Sequence, residues 1–237
     1  MDNWHPIAVA RRKIKAFGLA RYCPVCRSRV RFFLPHGLKP RVGAECPVCS
    51  GLERHRLVWM VLNRRTDLFD ARLKKMLHIA PETVYSRQLR RLNHLFYVSA
   101  DLRLPSAMIR LDVTRLPFPG RTFDAVYCGH VLEHVPEDRK ALKELFRVMA
   151  PGGWALIQVP ITAAETMEDP AVVEPAERTA AYGHPDHVRR YGPDVQARLT
   201  AAGFSVRQIR AADVVTLREA EKMGIKDHKG VFLCKKA

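Results

Sequence analysis

The chain has 237 residues, 47% of them hydrophobic, and carries a formal net charge of +16 at neutral pH. This length suits one α/β domain with a small additional module. The longest apolar run, LVWMVL at 57–62, is far shorter than the ~20 residues of a transmembrane helix, which argues against stable membrane insertion. The N-terminal stretch MDNWHPIAVARRKIK has no long apolar segment, so we expect no secretory signal and a cytoplasmic protein.

The positive charge is concentrated in the first third of the chain. Residues 1–76 contain 17 Lys and Arg against 5 Asp and Glu, and the remaining 161 residues contribute only +4. Such a surface attracts phosphate-bearing partners, including nucleic acid, nucleotide sugars and anionic membranes. The alternative interpretation is a solvated basic face without a partner.

Four of the six cysteines form two CPVC pairs separated by 19 residues, and these four are Cys23, Cys26, Cys46 and Cys49. A two-residue gap lets both thiolates of one turn bind the same metal, and two such turns complete a tetrahedron. Without an export signal, two disulfides are the weaker interpretation. The spacing therefore predicts a structural zinc ribbon, with Phe32 and Phe33 in its own core.

The stretch SGLERHRLVWMVLNRR follows the second pair. Its apolar residues recur at helical spacing, which predicts a helix that joins the ribbon to the rest of the chain. We expect His55 to be a polar surface residue rather than a fifth metal ligand.

Strands and helices alternate from residue 76 onward. The predicted strands are MLHIA, FYVSADL, MIRLDV, FDAVYC, WALIQVPI, FSVRQIRA and VFLCKK, the predicted helices are ETVYSRQLRRL, PEDRKALKELFRVM and GPDVQARLTAAG, and residues 162–182 form a polar loop. This alternation predicts a mostly parallel sheet with helices on both faces. Ligands of such sheets bind at the carboxyl ends of the strands, near the switch in strand order.

Acidic residues stand at two of these strand ends. Asp101 ends the second strand, 19 positions beyond Glu82, where a carboxylate accepts ribose hydroxyls in dinucleotide sites. Asp112 ends the third strand and is placed to meet an adenine amino group. Each is alternatively a turn or cap residue.

These segments, in this order, resemble the class I S-adenosylmethionine-dependent methyltransferases. The resemblance rests on LHIAPE, VSADL, LDVTRLPF, FDAVYCGHVLEHV, RVMAPGG and LTAAGF, covers about residues 73–237, and is most specific at FDAVYCGHVLEHV followed by RVMAPGG. It implies a Rossmann-like fold and S-adenosyl-L-methionine as cofactor. The predicted organisation is a zinc ribbon with a basic N-terminal segment at 1–56, a linking helix at 57–75 and a methyltransferase domain at 76–237.

The resemblance also assigns cofactor residues. Asp101 would bind the ribose, Asp112 and Val113 the adenine, and Gly129 with His130 would line the floor beneath the methionine moiety.

The chain departs from the family pattern at LHIAPE. The family has an acid followed by Gly-x-Gly here, whereas this chain has His78 in place of the acid and no glycine. The cofactor carries no phosphate and does not need an anion cradle. Ala80 is nearly as small as glycine, Pro81 pre-sets a turn, and Glu82 supplies an anion for the cofactor amino group. We therefore expect His78, Ala80 and Glu82 to belong to the cofactor site.

The stretch HVLEH at 130–134 matches the H-x-x-E-H pattern of some metallopeptidases. That site needs both histidines on one helix, and here the motif follows a strand directly, before the helix that Pro136 opens. We expect His134 and Glu133 to shape the loop at the carboxyl edge of the sheet instead, with Glu133, a candidate catalytic residue, pointing toward the substrate or a neighbouring backbone.

The segment AYGHPDHVRRYG at 181–192 gathers polar residues into a predicted lid. Loops on rigid scaffolds often carry function. His184 or His187 is a candidate general base because histidine titrates near neutral pH, and Arg189 and Tyr182 are candidate substrate contacts. The alternative is a lid held by structural hydrogen bonds.

The leading hypothesis is a methyltransferase acting on an O or N nucleophile of a small-molecule or sugar-like substrate. RNA is the competing substrate, favoured by the basic N-terminal third. A non-catalytic zinc-ribbon binding protein with a degenerate methyltransferase fold is the alternative from another class.

Overall fold

The structure is a computed structural model that describes residues 14–37 and 40–237. The N-terminal stretch examined for a secretory signal lies largely outside these residues. The chain forms two compact units that alternate along the sequence. The first comprises the described residues of Met1–Asp70 with Glu82–Arg91 and Arg210–His228, and the second comprises Ala71–Pro81, Leu92–Ile209 and Lys229–Ala237. The predicted boundaries at residues 56 and 75 stay predictions.

The first unit contains two small antiparallel hairpins and three helices among its described residues. Strands β1 (Phe17–Cys23) and β2 (Ser28–Val30) pair with each other, as do β3 (Leu34–His36) and β4 (Arg41–Glu45). The helices are α1 (Glu53–Arg65), α2 (Thr83–Leu89) and a C-terminal one at Leu217–Met223, preceded by a 3₁₀ turn at Ala211–Asp213.

The first unit is packed around a fully buried arginine. Arg56 of α1 donates to the carbonyls of Ala44, Gly51, Gly43 and Gly224, and its guanidinium lies 3.9 Å from the centroid of the Phe33 ring. Burial lowers the pKa of Arg56, and the thiolates of the cysteine cluster oppose that shift. Four carbonyl acceptors satisfy a charge that would otherwise be costly to bury.

Two expectations for this unit are wrong. His55 is only 6% exposed and is therefore buried rather than on the surface. Its side of α1 is covered by Glu82 and Tyr85, which contact its ring. Phe33 is buried as predicted, whereas Phe32 is 42% exposed. Neighbouring residues of an extended chain point to opposite sides, so only one of the two phenylalanines faces the core.

The second unit is built on a seven-stranded sheet. Its strands are β5 (Lys74–Ile79), β6 (Leu95–Asp101), β7 (Ile109–Arg110), β8 (Phe123–Gly129), β9 (Met149–Gln158), β10 (Ser205–Gln208) and β11 (Val231–Lys235). Their order is β10-β11-β9-β8-β5-β6-β7. All pairs from β9 to β7 are parallel, and β11 is antiparallel to both of its neighbours. The predicted mostly parallel, Rossmann-like sheet is therefore confirmed.

One face of this sheet is the apolar core of the second unit. Alternate residues of the central strands, among them Leu77, Val98, Val126 and Ile157, pack with α3 (Asp138–Val148) and with the helix Val195–Ala201. The central strands are buried almost continuously, on both faces of the sheet, and their near-continuous apolar runs explain why they are recognisable in the sequence.

Two helices are absent from the sequence prediction. Helix α4 (Pro175–Tyr182) lies inside the predicted polar loop, with proline in its first turn and Gly183 at φ 82 after its end. Helices α5 (Val195–Ala201) and α6 (Leu217–Met223) follow. The other helix that the sequence prediction lacks is α6. It is capped at its start by Thr216, whose hydroxyl accepts from the Glu219 N–H, and at its end by Gly224. These terminal signals are local, but both helices are short and mostly exposed, so apolar periodicity does not reveal them.

Among the described residues, no helix has both the length and the apolar character needed to cross a bilayer.

Candidate functional site

The strand order of the sheet reverses between β5 and β8. The chain runs outward from β5 to β6 and β7, then returns to place β8 and β9 on the other side. Such a switch point leaves a crevice at the carboxyl ends of the two central strands. Here those ends are at Ile79 and Gly129, and most predicted cofactor residues of the second unit lie beside them.

Both central strands leave the sheet through a left-handed residue that is not glycine. Ala80 has φ 51 and His130 has φ 55. Their N–H groups remain in the sheet pattern, donating to the carbonyls of Ala100 and Gln158 at 2.8 Å each. Ala80 thus adopts the conformation for which glycine is the usual choice, at a cost of about 1–2 kcal/mol. The turn without glycine therefore has the left-handed geometry that glycine would adopt, and the backbone of Ala80 is strained.

Each of the two strand-end carboxylates accepts hydrogen bonds from the protein through one of its two oxygens. Oδ1 of Asp101 accepts from the N–H groups of Arg103 and Leu104, both at 2.6 Å. Oδ1 of Asp112 accepts from the N–H and hydroxyl of Thr114, both at 2.8 Å. Among the described residues, neither Oδ2 has a hydrogen-bond partner. Each aspartate therefore caps a turn with one oxygen and leaves the other available for a ligand, while Val113 is buried.

A row of rings lies on the polar face of the central strands. His78 is fully buried, its Nδ1 is 2.8 Å from the Tyr97 hydroxyl, and its ring centroid is 4.9 Å from that of Tyr127. A Cβ at Gly129 would lie 2.4 Å from the Tyr127 hydroxyl oxygen. Gly129 is therefore required by its neighbour on the same strand. Sequence reasoning assigned His78 to the cofactor and did not foresee this ring packing.

Buried polar atoms without partners converge at the ends of β8 and β9. Nδ1 of His130 is 3.1 Å from Oε1 of Glu133, while Glu133 is 1% exposed and Gln158 is fully buried. Within the described part of the chain, His130 Nε2, Glu133 Oε2 and Gln158 Nε2 have no hydrogen-bond partner. Buried polar groups are rarely left unpaired. The two side-chain nitrogens of His130 and Gln158, together with the Glu133 oxygen, are therefore available to hydrogen-bond to a polar ligand. Gln158 was not singled out by the sequence.

Glu82 belongs to the first unit and pairs with a histidine there. Its Oε1 accepts from His55 Nε2 at 2.7 Å, because His55 Nδ1 already accepts from the Leu52 N–H at 2.9 Å. Arg54 Nη2 lies 3.6 Å from the same oxygen. The role of Glu82 toward the cofactor amino group stays a prediction, and its carboxylate already has His55 as a partner.

Arg189 holds the predicted lid in place through hydrogen bonds. This side chain is 3% exposed and donates to Glu168 and to the carbonyls of Leu132, Val135 and Pro136. The Tyr182 hydroxyl bonds to the backbone of Asp169. Both predicted substrate contacts thus have protein partners, and their predicted roles require that a substrate displace those partners.

The predicted catalytic histidines lie together at this lid. His184 is exposed and His187 is half-buried, with ring centroids 4.8 Å apart. Partial burial lowers the pKa of His187, and the nearby His134 lowers it further. A neutral imidazole results at neutral pH, which can accept a proton.

A cavity of about 750 Å³ lies beside the predicted lid in the second unit. It is lined by residues 136–140, Lys143, Glu168–Pro170, Val172, Arg178, Val188 and Arg189. Arg189 is the one predicted site residue among its walls. The cavity is charged and does not include the strand ends at Ala80 and Gly129, so it is not the predicted cofactor site.

The four predicted metal ligands come together in the first unit. The Sγ atoms of Cys23 and Cys49 are 3.7 Å apart and those of Cys26 and Cys46 are 3.8 Å apart. Sulfurs around zinc at ~2.3 Å form a tetrahedron with edges of about 3.8 Å, whereas a disulfide needs about 2.05 Å. The cluster has the dimensions of a tetrahedral thiolate site.

Comparisons with known proteins match the part of the chain that holds this site. The family model described as a methyltransferase domain matches residues 76–157. The demethylmenaquinone methyltransferase of Geobacillus sp. (strain WCH70) is 36% identical over 80 residues, which are 34% of this chain and 28% of that protein. The ubiquinone/menaquinone biosynthesis C-methyltransferase UbiE of Salmonella arizonae is 41% identical over 49 residues, 21% of this chain and 20% of that protein.

The matches thus span under a third of the length of these relatives. Among solved structures, an S-adenosylmethionine-dependent methyltransferase from Mesorhizobium loti is similar, with 17% identity, a TM-score of 0.49, and coverage of 75% of this chain and 96% of that one. Residues 76–157 of this chain are thus similar to a methyltransferase domain, which supports the predicted resemblance of this part of the chain to S-adenosylmethionine-dependent methyltransferases.

Proposed function

We propose that the protein transfers the methyl group of S-adenosylmethionine to an oxygen or nitrogen nucleophile. The observation that carries the proposal is the group of buried polar atoms of His130, Glu133 and Gln158 that have no hydrogen-bond partner among the described residues, at the switch point of the sheet. Their chemistry fits a ligand with both cationic and hydrogen-bonding groups. The available Oδ2 atoms of Asp101 and Asp112 extend the same edge with acceptors for ribose hydroxyls and an adenine amino group.

The bound cofactor supplies an electrophilic methyl group on a sulfonium. The protein's contribution is positioning, because methyl transfer needs an in-line approach of the nucleophile. Asp101 holds the ribose through Oδ2 while its Oδ1 keeps the turn in place. The carboxylate of Glu133, oriented by His130, attracts the cationic end of the cofactor or a proton of the acceptor. The segment around Arg189 excludes water from Glu133.

The cysteine cluster is proposed to hold a structural Zn²⁺ through Cys23, Cys26, Cys46 and Cys49. The sulfur–sulfur distances and the four thiolates support it, and four protein ligands leave no open position for catalysis. Metal analysis of the purified protein tests the assignment. One zinc per chain is expected, and its loss in Cys23→Ser/Cys26→Ser; a zinc-free folded protein would contradict it.

A small-molecule or sugar-like acceptor is the favoured substrate. The polar atoms of the candidate site are buried, and Val188 and Arg189 bond to residues 132–136 directly beside them. A small molecule enters such an enclosed site more readily than a folded polymer does.

RNA is the second candidate, and the surface of the first unit supports it. Phe17 is 79% exposed and Phe32 is 42% exposed, while Arg29 and Arg31 are exposed on and next to β2. Aromatic rings beside basic residues form a stacking surface for unpaired bases. If RNA is the substrate, affinity falls steeply with salt and Phe17→Ala/Phe32→Ala weakens it. Weak, salt-insensitive binding rejects this substrate.

Calorimetric titration with S-adenosylmethionine and S-adenosylhomocysteine tests the proposed function. Both are expected to bind the folded, zinc-loaded protein. If neither binds at millimolar concentration, the methyltransferase proposal fails and the non-catalytic zinc-ribbon protein is favoured instead. A library of hydroxylated and amino small molecules, assayed for S-adenosylhomocysteine release, then identifies the acceptor class.

A further inference from the structure

We propose that His134, His184 and His187 bind a divalent transition-metal ion, at a site with different ligands from the four-cysteine cluster. One nitrogen from each ring can be chosen so that all three lie within 4.8 Å of one another. The ring centroids are 4.7–5.8 Å apart. Imidazole nitrogens suit zinc, nickel, cobalt and copper rather than magnesium or calcium. The three residues come from two segments separated by about fifty residues.

The backbone holds the two segments together at the ligands themselves. Val188, which follows His187, donates its N–H to the carbonyl of Glu133, which precedes His134, at 2.9 Å. The buried Arg189 guanidinium then bonds to carbonyls on both sides of His134. The backbone positions of His134 and His187 are thus held together before any ion binds, which favours a precise metal site.

The ring orientations agree with coordination. His134 Nδ1 lies 3.1 Å from the carbonyl oxygen of Asp186, to which its N–H can donate. Metal-bound histidines commonly donate their second N–H to a backbone carbonyl, which leaves Nε2 as the ligand. His184 Nδ1 accepts from the Asp186 N–H at 3.2 Å, and coordination through that nitrogen replaces this long hydrogen bond.

The cluster can close onto an ion at small cost. Nitrogens around zinc at ~2.0–2.1 Å lie about 3.3 Å apart in a tetrahedron, so the rings must approach by up to about 1.5 Å. His134 and His184 are exposed, and their side chains rotate without disturbing the core.

Three neutral ligands leave the ion with its full charge and an open fourth position. An ion in this state binds anionic oxygen and lowers the pKa of a bound hydroxyl, whose proton passes to solvent. Glu133 precedes His134 directly, so the open position belongs to the same part of the fold as the candidate site. The ligand class is therefore a hydroxyl, phenolate or carboxylate of the methyl acceptor. This last step rests on the proposed function, whereas metal binding does not.

Titration with Co²⁺ of the full chain that carries one zinc per chain, bound by the four cysteines, tests the site. We expect one Co²⁺ per chain, with d–d absorption and no thiolate charge-transfer band, which distinguishes histidine from cysteine ligation. Loss of partners outside the coordination shell already weakens metal sites 10–100-fold. His134→Ala and His184→Ala/His187→Ala should therefore weaken binding by at least about 100-fold, and His94→Ala, a histidine of the same unit outside the cluster, should not.

Equal Co²⁺ affinity in the wild type and in His184→Ala/His187→Ala, with circular dichroism unchanged, would overturn the proposal. No Co²⁺ binding by the wild type would do the same. The cofactor titration is run on the same wild-type sample, so the two proposals fail separately. Co²⁺ binding without cofactor binding overturns the methyltransferase function and keeps the metal site, and the reverse result overturns the metal site alone.

Discussion

The two oxygens of Asp101 have different predicted functions, and substitution can separate them. Oδ1 accepts two backbone N–H groups at 2.6 Å, and Oδ2 is the predicted ribose acceptor. Asp101→Asn keeps an acceptor at the Oδ1 position and places an NH₂ donor at the Oδ2 position. Asp101→Ala removes both. The two variants should therefore differ in stability and agree in cofactor binding.

The expected magnitudes follow from the hydrogen bonds. A hydrogen bond to a charged group contributes about 1.5–3 kcal/mol, so either variant should bind S-adenosylhomocysteine about 10–150-fold more weakly. Asp101→Ala also leaves two N–H groups without their acceptor. At about 1 kcal/mol each, this lowers the melting temperature by about 4–8 °C for a chain of this size. Asp101→Asn should melt within about 2 °C of the wild type.

Calorimetric titration and thermal unfolding measure the two effects on the same samples. Asp124→Asn is the matched control, because Oδ2 of Asp124 accepts from the Lys75 N–H at 2.8 Å near the amino end of β8. That variant should bind the cofactor normally. The reasoning is refuted if Asp101→Asn binds with wild-type affinity, or if it is destabilised as strongly as Asp101→Ala.

Three further predictions concern the same unit. Ala80→Gly should raise the melting temperature by about 2–4 °C. The strain released at the φ of 51° exceeds the entropic cost of a glycine backbone by up to about 1 kcal/mol. A lower melting temperature would mean that the turn is unstrained. Gly129→Ala should cost about 1–3 kcal/mol of unfolding free energy, because its Cβ would meet the Tyr127 hydroxyl at 2.4 Å; urea unfolding with Tyr127→Phe should show partial rescue, and additive effects would contradict the clash. Glu168 hydrogen-bonds to Arg198, which holds its pKa at about 2, below the ordinary 4.5. Its stabilisation is therefore present above pH ~4.5 and lost as pH falls toward ~2, so Glu168→Gln should flatten acid unfolding in that window, and an unchanged acid limb would show that the pair contributes nothing.

Several features were predictable because they depend on local spacing. Two CPVC pairs identify a four-cysteine cluster, since the two-residue gap alone brings both thiolates of a turn to one point. The parallel sheet was predictable because its strands alternate apolar and polar residues or run continuously apolar. Asp101 and Asp112 were identifiable because Asp101 is the last residue of β6 and Asp112 stands two residues after β7.

The turn at LHIAPE was only partly predictable. Its position at the end of β5 followed from the strand pattern, and the small size of Ala80 was visible in the sequence. The left-handed backbone of Ala80 was not, because it accompanies the pairing of the Ala80 N–H with the carbonyl of Ala100, a residue far away in the chain. The partner of Glu82 was equally hidden, since His55 is 27 residues away.

By itself, the sequence determined the order of the strands and of most helices, the cysteine cluster and the strand-end acids, because hydrophobic period and short spacing act within a few residues. Only the tertiary structure decided which side chains meet. It buried Arg56 and His55 and held the lid in place through Arg189. Within the ranges that the structure describes, it left Glu133 and Gln158 with unpartnered atoms and brought three histidines of two distant segments together. Such contacts join residues far apart in the chain, and packing rather than local propensity selects them.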